Sequence, residues 1–133
     1  MYRLNVTSFF AGAHKLDNYP GACKNLHGHN WKIRVQLTTQ ELDDLGMAID
    51  FKIVKDRLNE LIEKFDHQYL NDLEWFENQN TTSENIARVI YHELQKSLDC
   101  FMPRKDRGID KNIKVSEVEV WESDMTSIVY CEK

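Results

Sequence analysis

The sequence predicts an α+β fold, with a four-stranded antiparallel sheet carrying two helices on one face. Three observations predict it. The periodicities run strand, strand, helix, helix, strand, strand along 133 residues. The two leading strand segments alternate apolar and polar without a break, as half-buried antiparallel strands do. The two helical segments each carry a single apolar stripe, so both can cover one face of a sheet. The length suits one domain, residues 1–133, with one core.

Residues 2–14 place Tyr2, Leu4, Val6, Ser8, Phe10, Gly12 and His14 on one face of the first strand. Residues 15–26 contain Asn18, Pro20 and Gly21 and read as a loop. The second strand carries His27, His29, Trp31, Ile33, Val35 and Leu37 on one side, and Gly28, Asn30, Lys32, Arg34, Gln36 and Thr38 on the other. Both histidines open the apolar side.

Asp50 is positioned to cap the first helix, whose stripe is Phe51, Val54, Leu58, Leu61, Ile62 and Phe65, with an end expected near Phe65 or a few residues later. The second helix begins near Thr82. Thr81 and Glu84 have capping-box spacing, and Ile86, Ile90, Leu94 and Leu98 supply the stripe. Residues 99–114 are polar, carry Pro103 and Gly108, and read as a loop. Two strands close the chain. The first places Val118, Val120 and Glu122 on one face, and the second covers roughly 127–131. Both sheet edges stay open in this arrangement, which invites pairing with another subunit.

Composition narrows the function. The net charge is −5 with no stripe of Lys and Arg, which argues against nucleic acid as a partner but leaves room for a small anionic substrate. No apolar run approaches the ~20 residues of a membrane span. The first ten residues lack the pattern of a secretory signal, so a cytoplasmic location is expected. The three cysteines, Cys23, Cys100 and Cys131, have no paired spacing and argue against a disulfide framework.

The stretch ACKNLHGHNW, residues 22–31, concentrates the chemistry. Strand geometry points His27 and His29 the same way, about 6–7 Å apart along the chain. Two convergent imidazoles can chelate a metal, and zinc would then take a third ligand and leave one position open. His14, ending a neighbouring strand in the same register, is the third candidate. The alternative is a pair of ordinary polar histidines at a strand entrance. Cys23 sits in a Gly/Pro-containing loop beside Lys24, where a lowered pKa would make it a thiolate base or nucleophile. Burial as a small hydrophobe suits Cys100 and Cys131 better. Asp66 and His67 are either an oriented proton-transfer pair or ordinary partners of a helix end. Glu122 either lies on a buried face and needs a ligand's N–H donors, or is already exposed where the strand leaves the sheet.

The segments SFFAGAHKL, CKNLHGHNWKIRV, GMAIDF, FDHQYLND, NTTSENIA and VWES follow one another in this order. In that order they resemble the 6-pyruvoyl-tetrahydropterin synthase and 6-carboxytetrahydropterin synthase family, across roughly residues 3–98 and 115–131. The resemblance implies the tunnelling fold, in which subunit sheets join edge to edge into a barrel, and a homohexamer of two trimers with active sites at subunit interfaces. It implies His14, His27 and His29 as Zn2+ ligands and Cys23 as the catalytic cysteine, with Asp66 and His67 completing a proton-transfer triad. It also implies Glu122 as the catalytic-site anchor of the pterin's amino-pyrimidine edge, and Thr82 and Ser83 as hydroxyls near the pterin. Lys15 stands where many relatives have arginine and would meet triphosphate as a point charge.

The implied substrate is 7,8-dihydroneopterin triphosphate. The IDF of residues 49–51 and the TSEN of residues 82–85 look more like the carboxy type, which yields 6-carboxytetrahydropterin, acetaldehyde and triphosphate on the way to queuosine and other 7-deazaguanines. The alternatives are 6-pyruvoyl-tetrahydropterin synthesis, aldolase cleavage of dihydroneopterin, and a non-catalytic zinc-containing pterin-binding oligomer.

Overall fold

The structure is a computed structural model. It describes all residues except 22, 23, 102–104, 107, 108 and 111, and at 105, 106, 109 and 110 it describes the backbone. Strands β1 (Tyr2–His14), β2 (His27–Thr39), β3 (Gln68–Tyr69), β6 (Lys114–Ser123) and β7 (Thr126–Cys131) form one sheet in the order β3-β1-β2-β6-β7. Helices α1 (Phe51–Ile62) and α2 (Ser83–Phe101) pack on its apolar face, and two short strands, β4 (Lys105–Asp106) and β5 (Ile109–Asp110), pair apart from it.

The α+β architecture matches the sequence reading, with a corrected strand count. The main sheet has five strands rather than four, because β3 adds a two-residue parallel pairing to Gly12 and Ala13 of β1. So short a strand has no periodicity to read. The polar stretch expected to be a loop is also more ordered. Its first residues, 99–101, continue α2, and β4 pairs antiparallel with β5 further along.

Alternation places Leu4, Val6, Phe10, Trp31, Ile33, Val35 and Leu37 under the helices, all less than a tenth exposed. Val118 and Val120 of β6 extend the same layer, and α2 meets it with Ile86, Ile90, Leu94 and Leu98. Asp50 caps α1 as expected, its carboxylate accepting from the Lys52 N–H at 2.9 Å. Phe51 departs from the expected stripe. It stands 53% exposed at the first turn, before α1 is fully seated on the sheet. The helix stops at Ile62, and a tight turn carries the chain through the fully buried Phe65 to Asp66.

The cap of α2 also differs by one residue. Thr82 Oγ1 accepts from the Asn85 N–H at 3.2 Å, so Thr82 does the capping. Thr81, fully buried, is turned inward instead. Cys100 and Cys131 are both exposed, contrary to the expectation of buried hydrophobes. Cys100 lies in the last turn of α2, and Cys131 ends the edge strand β7.

Candidate metal centre

The register of β1 and β2 builds the site. His14 lies directly opposite His27, and Gly12 opposite His29, so the three imidazoles occupy one corner of the apolar face. The corner is tightly framed. Trp31 Nε1 donates to the Gly12 carbonyl at 3.2 Å. A Cβ on Gly12 would stand 3.2 Å from both Leu70 and Phe10, so glycine lets the strand lie against Leu70 without displacing either side chain.

The ring nitrogens are sorted by their partners. His14 Nδ1 donates to the Thr81 carbonyl at 2.7 Å, and His27 Nδ1 donates to the Asn25 carbonyl at 2.7 Å. A carbonyl only accepts, so both Nδ1 atoms carry hydrogen and both Nε2 atoms present lone pairs. Those two Nε2 atoms face each other at 3.0 Å. Two ligands on one tetrahedral zinc would stand about 3.3 Å apart, given Zn–N distances of ~2.0–2.1 Å.

His29 Nε2 is buried and makes no aligned hydrogen bond, although Glu122 Oε1 approaches it to 2.8 Å. Glu122 Oε1 is also 3.2 Å from His14 Nε2. The four ligand atoms of His14, His27, His29 and Glu122 lie within 4.8 Å of one another. Burial, chiefly, and the neighbouring imidazoles push His29 below its ordinary pKa against the opposing pull of Glu122, which favours the neutral, ligating ring. A converging set of fixed lone pairs, with an unsatisfied buried nitrogen among them, fits a divalent metal ion.

Asp66 and His67 form a second, separately built pair. Asp66 Oδ1 accepts from the Ala11 N–H at 2.9 Å, and the His67 N–H donates to the Ala11 carbonyl at 2.6 Å. The turn is thereby tied to β1, and His67 takes a left-handed φ of 55° to complete it. Asp66 Oδ2 lies 2.9 Å from His67 Nδ1. The Ala11 amide, and then the His67 imidazole, hold the Asp66 carboxyl below its ordinary value, against a partial burial that works the other way. The His67 ring is 82% exposed, so its far nitrogen is free to meet a ligand.

Two cavities flank the histidines. One of about 460 Å³ is lined by His14, Asp17, Tyr19, Thr82, Ser83 and Glu122, among others. The other, about 530 Å³, is lined by Ala11, Gly28, His29, Asn30, His67 and Tyr69, among others. A single chain therefore brings Thr82, Ser83 and Glu122 to the metal corner but opens His67 onto a different hollow. Lys15 is exposed, and the wall of the first cavity is formed by its neighbours His14 and Leu16. Cys23 lies outside the described residues. Beside it, the Lys24 N–H donates to the Gly21 carbonyl at 3.2 Å, and Asn25 reaches His27. A larger cavity, about 980 Å³, lies away from this corner, between α2 and the start of β6, where His92 pairs with Glu132.

Sequence reasoning missed the residues that hold the histidines, namely Asn25, Thr81 and Asn71. Asn71 lies in the FDHQYLND segment, but nothing in the segment's spacing tells that its amide reaches Lys15 across the fold.

Comparison with known proteins agrees with this architecture. The family model described as "6-pyruvoyl tetrahydropterin synthase" matches residues 3–133. A 6-carboxy-5,6,7,8-tetrahydropterin synthase of Synechocystis is 37% identical over 93 residues, covering 66% of this chain and 70% of that protein. The protein of that name from Haemophilus influenzae is 27% identical, covering 99% of this chain and 98% of its own length. The Caenorhabditis elegans 6-pyruvoyl tetrahydropterin synthase structure superposes with a TM-score of 0.80 at 23% identity, covering 99% of this chain and 96% of its own, a likeness of fold. Across nearly its whole length, then, the chain carries both the sequence pattern and the tunnelling fold of one group of proteins, and it belongs to the 6-pyruvoyl tetrahydropterin synthase family.

Proposed function

We propose that the protein is a zinc-dependent 6-carboxy-5,6,7,8-tetrahydropterin synthase. It converts 7,8-dihydroneopterin triphosphate to 6-carboxytetrahydropterin, acetaldehyde and triphosphate, a step toward queuosine and related 7-deazaguanines. The observation that carries this reading is the convergence of three imidazole Nε2 atoms and one carboxylate, two of whose residues, His14 and Glu122, line a cavity of about 460 Å³. That volume suits a small ligand. Relatives named for the carboxy activity support the carboxy over the pyruvoyl product.

His14, His27 and His29 would hold the ion, three protein ligands leaving a coordination position for substrate. A bound zinc ion supplies Lewis-acid polarisation of the substrate's side-chain oxygens. Glu122, one-third exposed and lining the cavity, accepts from the amino-pyrimidine edge. Thr82 and Ser83 border the same space, and their hydroxyls would stand near the pterin. Cys23 as thiolate takes a proton from the substrate side chain. His67, oriented by Asp66, gives and takes protons from another side.

The pair of separate cavities supports an assembled site. Among the described residues, the outer edge of β1 is covered at Ala11 by Asp66 and His67 and at Gly12 and Ala13 by β3, and β7 is the opposite edge of the sheet. Edge-to-edge joining of copies would bring His67 of one chain toward the metal corner of another. A homohexamer of two trimers follows from the family resemblance. Lys15 and neighbouring cations would meet the triphosphate.

Incubation of the purified protein with 7,8-dihydroneopterin triphosphate tests the reading, with the pterin identified by mass and acetaldehyde assayed in parallel. Carboxytetrahydropterin with stoichiometric acetaldehyde is expected. Pyruvoyl-tetrahydropterin without acetaldehyde would overturn the carboxy assignment and make the protein a triphosphate-eliminating synthase.

A further inference from the structure

We propose that Asn71 is a positioning residue of the metal centre, fixing the His14 imidazole through Thr81 and the Lys15 backbone and thereby setting the affinity for the ion. The inference rests on the metal-centre reading above and names the part of the fold that makes the centre rigid.

Asn71 sits in a single 3-10 turn, Leu70–Asp72, whose Leu70 is fully buried against Gly12. Its side-chain amide makes contacts that match only one orientation. Nδ2 donates to the Lys15 carbonyl at 2.9 Å, and Oδ1 accepts from the Lys15 N–H at 3.1 Å. Oδ1 also accepts from the Thr81 hydroxyl at 3.2 Å. A flipped amide would set its donor against the Lys15 N–H and its oxygen against the Lys15 carbonyl, and so lose both backbone bonds. Asn71 therefore reads both backbone groups of the residue that follows His14.

Thr81 completes the link. It is fully buried, and its carbonyl accepts the His14 Nδ1–H at 2.7 Å. Its hydroxyl oxygen lies 3.3 Å from the same nitrogen. The hydroxyl has one hydrogen. With that hydrogen directed to Asn71 Oδ1, its oxygen is free to face the His14 N–H as a second acceptor. The chain of bonds from Asn71 through Thr81 to His14 keeps Nδ1 protonated and Nε2 aimed at the cluster. Asn80 repeats the amide clamp two residues along, with Nδ2 donating to the Asp17 carbonyl and Oδ1 accepting from its N–H, so the strand exit after His14 is held at two points. Groups that orient a metal-bound histidine in this way are typically worth about ten- to hundred-fold in metal affinity.

The test is Zn2+ affinity, measured by competition with a chromophoric chelator at a temperature well below unfolding, for the purified full chain and four variants. Asn71→Ala and Thr81→Val are expected to bind Zn2+ about ten- to hundred-fold more weakly. Asn71→Asp keeps the acceptor and loses the donor, and falls between. Thr81→Ser restores the hydroxyl and returns close to the unmodified protein. A clamp that only stabilised the fold would lower the melting temperature of the metal-free chain and leave the affinity of the folded protein unchanged. Unchanged affinity in Thr81→Val, which replaces a hydroxyl by a methyl of similar size, would overturn the proposal even if Asn71→Ala fails to fold. Absence of tight Zn2+ binding by the unmodified chain would instead overturn the metal-centre reading itself.

Discussion

His14 Nε2 and His27 Nε2 stand 3.0 Å apart across adjacent strands, and both bring lone pairs to that contact because their Nδ1 atoms are committed to the carbonyls of Thr81 and Asn25. Two lone pairs at that distance repel unless a cation or a proton lies between them. The fold thus holds open a place for positive charge, and the strand register holds His29 beside it.

Replacing His27 removes one side of that place. His27→Ala is expected to leave less than a stoichiometric trace of zinc after dialysis and to abolish turnover, while the protein elutes as the same oligomer on size exclusion. Metal analysis checks the first part, and full zinc content in the variant would contradict the ligand assignment.

Cys23 has a different expected signature. Cys23→Ala keeps zinc and the oligomer but loses turnover by about 10²- to 10⁴-fold, the usual worth of a positioned proton acceptor. Steady-state rates on zinc-loaded protein test it, and an unchanged rate would return Cys23 to a structural role.

Much of this corner was legible because strand alternation is a strict period of two. An unbroken pattern from Leu4 to His14, and another from His27 to Leu37, left little choice about which side chains share a face. Thr81 and Thr82 show what local pattern could not decide. Adjacent threonines serve equally well as a cap, and the demand of His14 for an acceptor draws Thr81 inward, leaving Thr82 to cap α2. Strand β3 and the left-handed His67 were not legible either, because both depend on the pairing of the 66–69 turn with Ala11 to Ala13, a contact between segments far apart in sequence.

The same turn gives a pH dependence. Asp66 titrates below its ordinary 3.8 in the folded chain, chiefly because it accepts from the Ala11 N–H. Its contribution to stability is therefore fully present above the unfolded value and is lost as pH falls through the lowered folded one. Asp66→Asn should melt below the unmodified protein at neutral pH, and the gap should close in strong acid. Thermal melts across that range decide it, and a gap independent of pH would contradict the role of the charge.

Glu122 is expected to act on the substrate. With an ion bound to the three imidazoles, their Nε2 atoms carry no proton for Glu122 to accept, and its carboxylate is free for a ligand's N–H donors. Glu122→Gln should retain zinc and lose about 10- to 100-fold in kcat/KM, matching the ~1.5–3 kcal/mol of a hydrogen bond to a charged group. Loss of zinc from this variant would make Glu122 a metal ligand instead.

A catalytic metal centre at the histidine corner requires activity to follow the ion. The most direct test strips the protein of metal with a chelator and returns Zn2+ stepwise while acetaldehyde formation from 7,8-dihydroneopterin triphosphate is followed. No activity is expected in the stripped protein, with a linear recovery that saturates at one ion per chain. Full activity in the metal-free protein would contradict it.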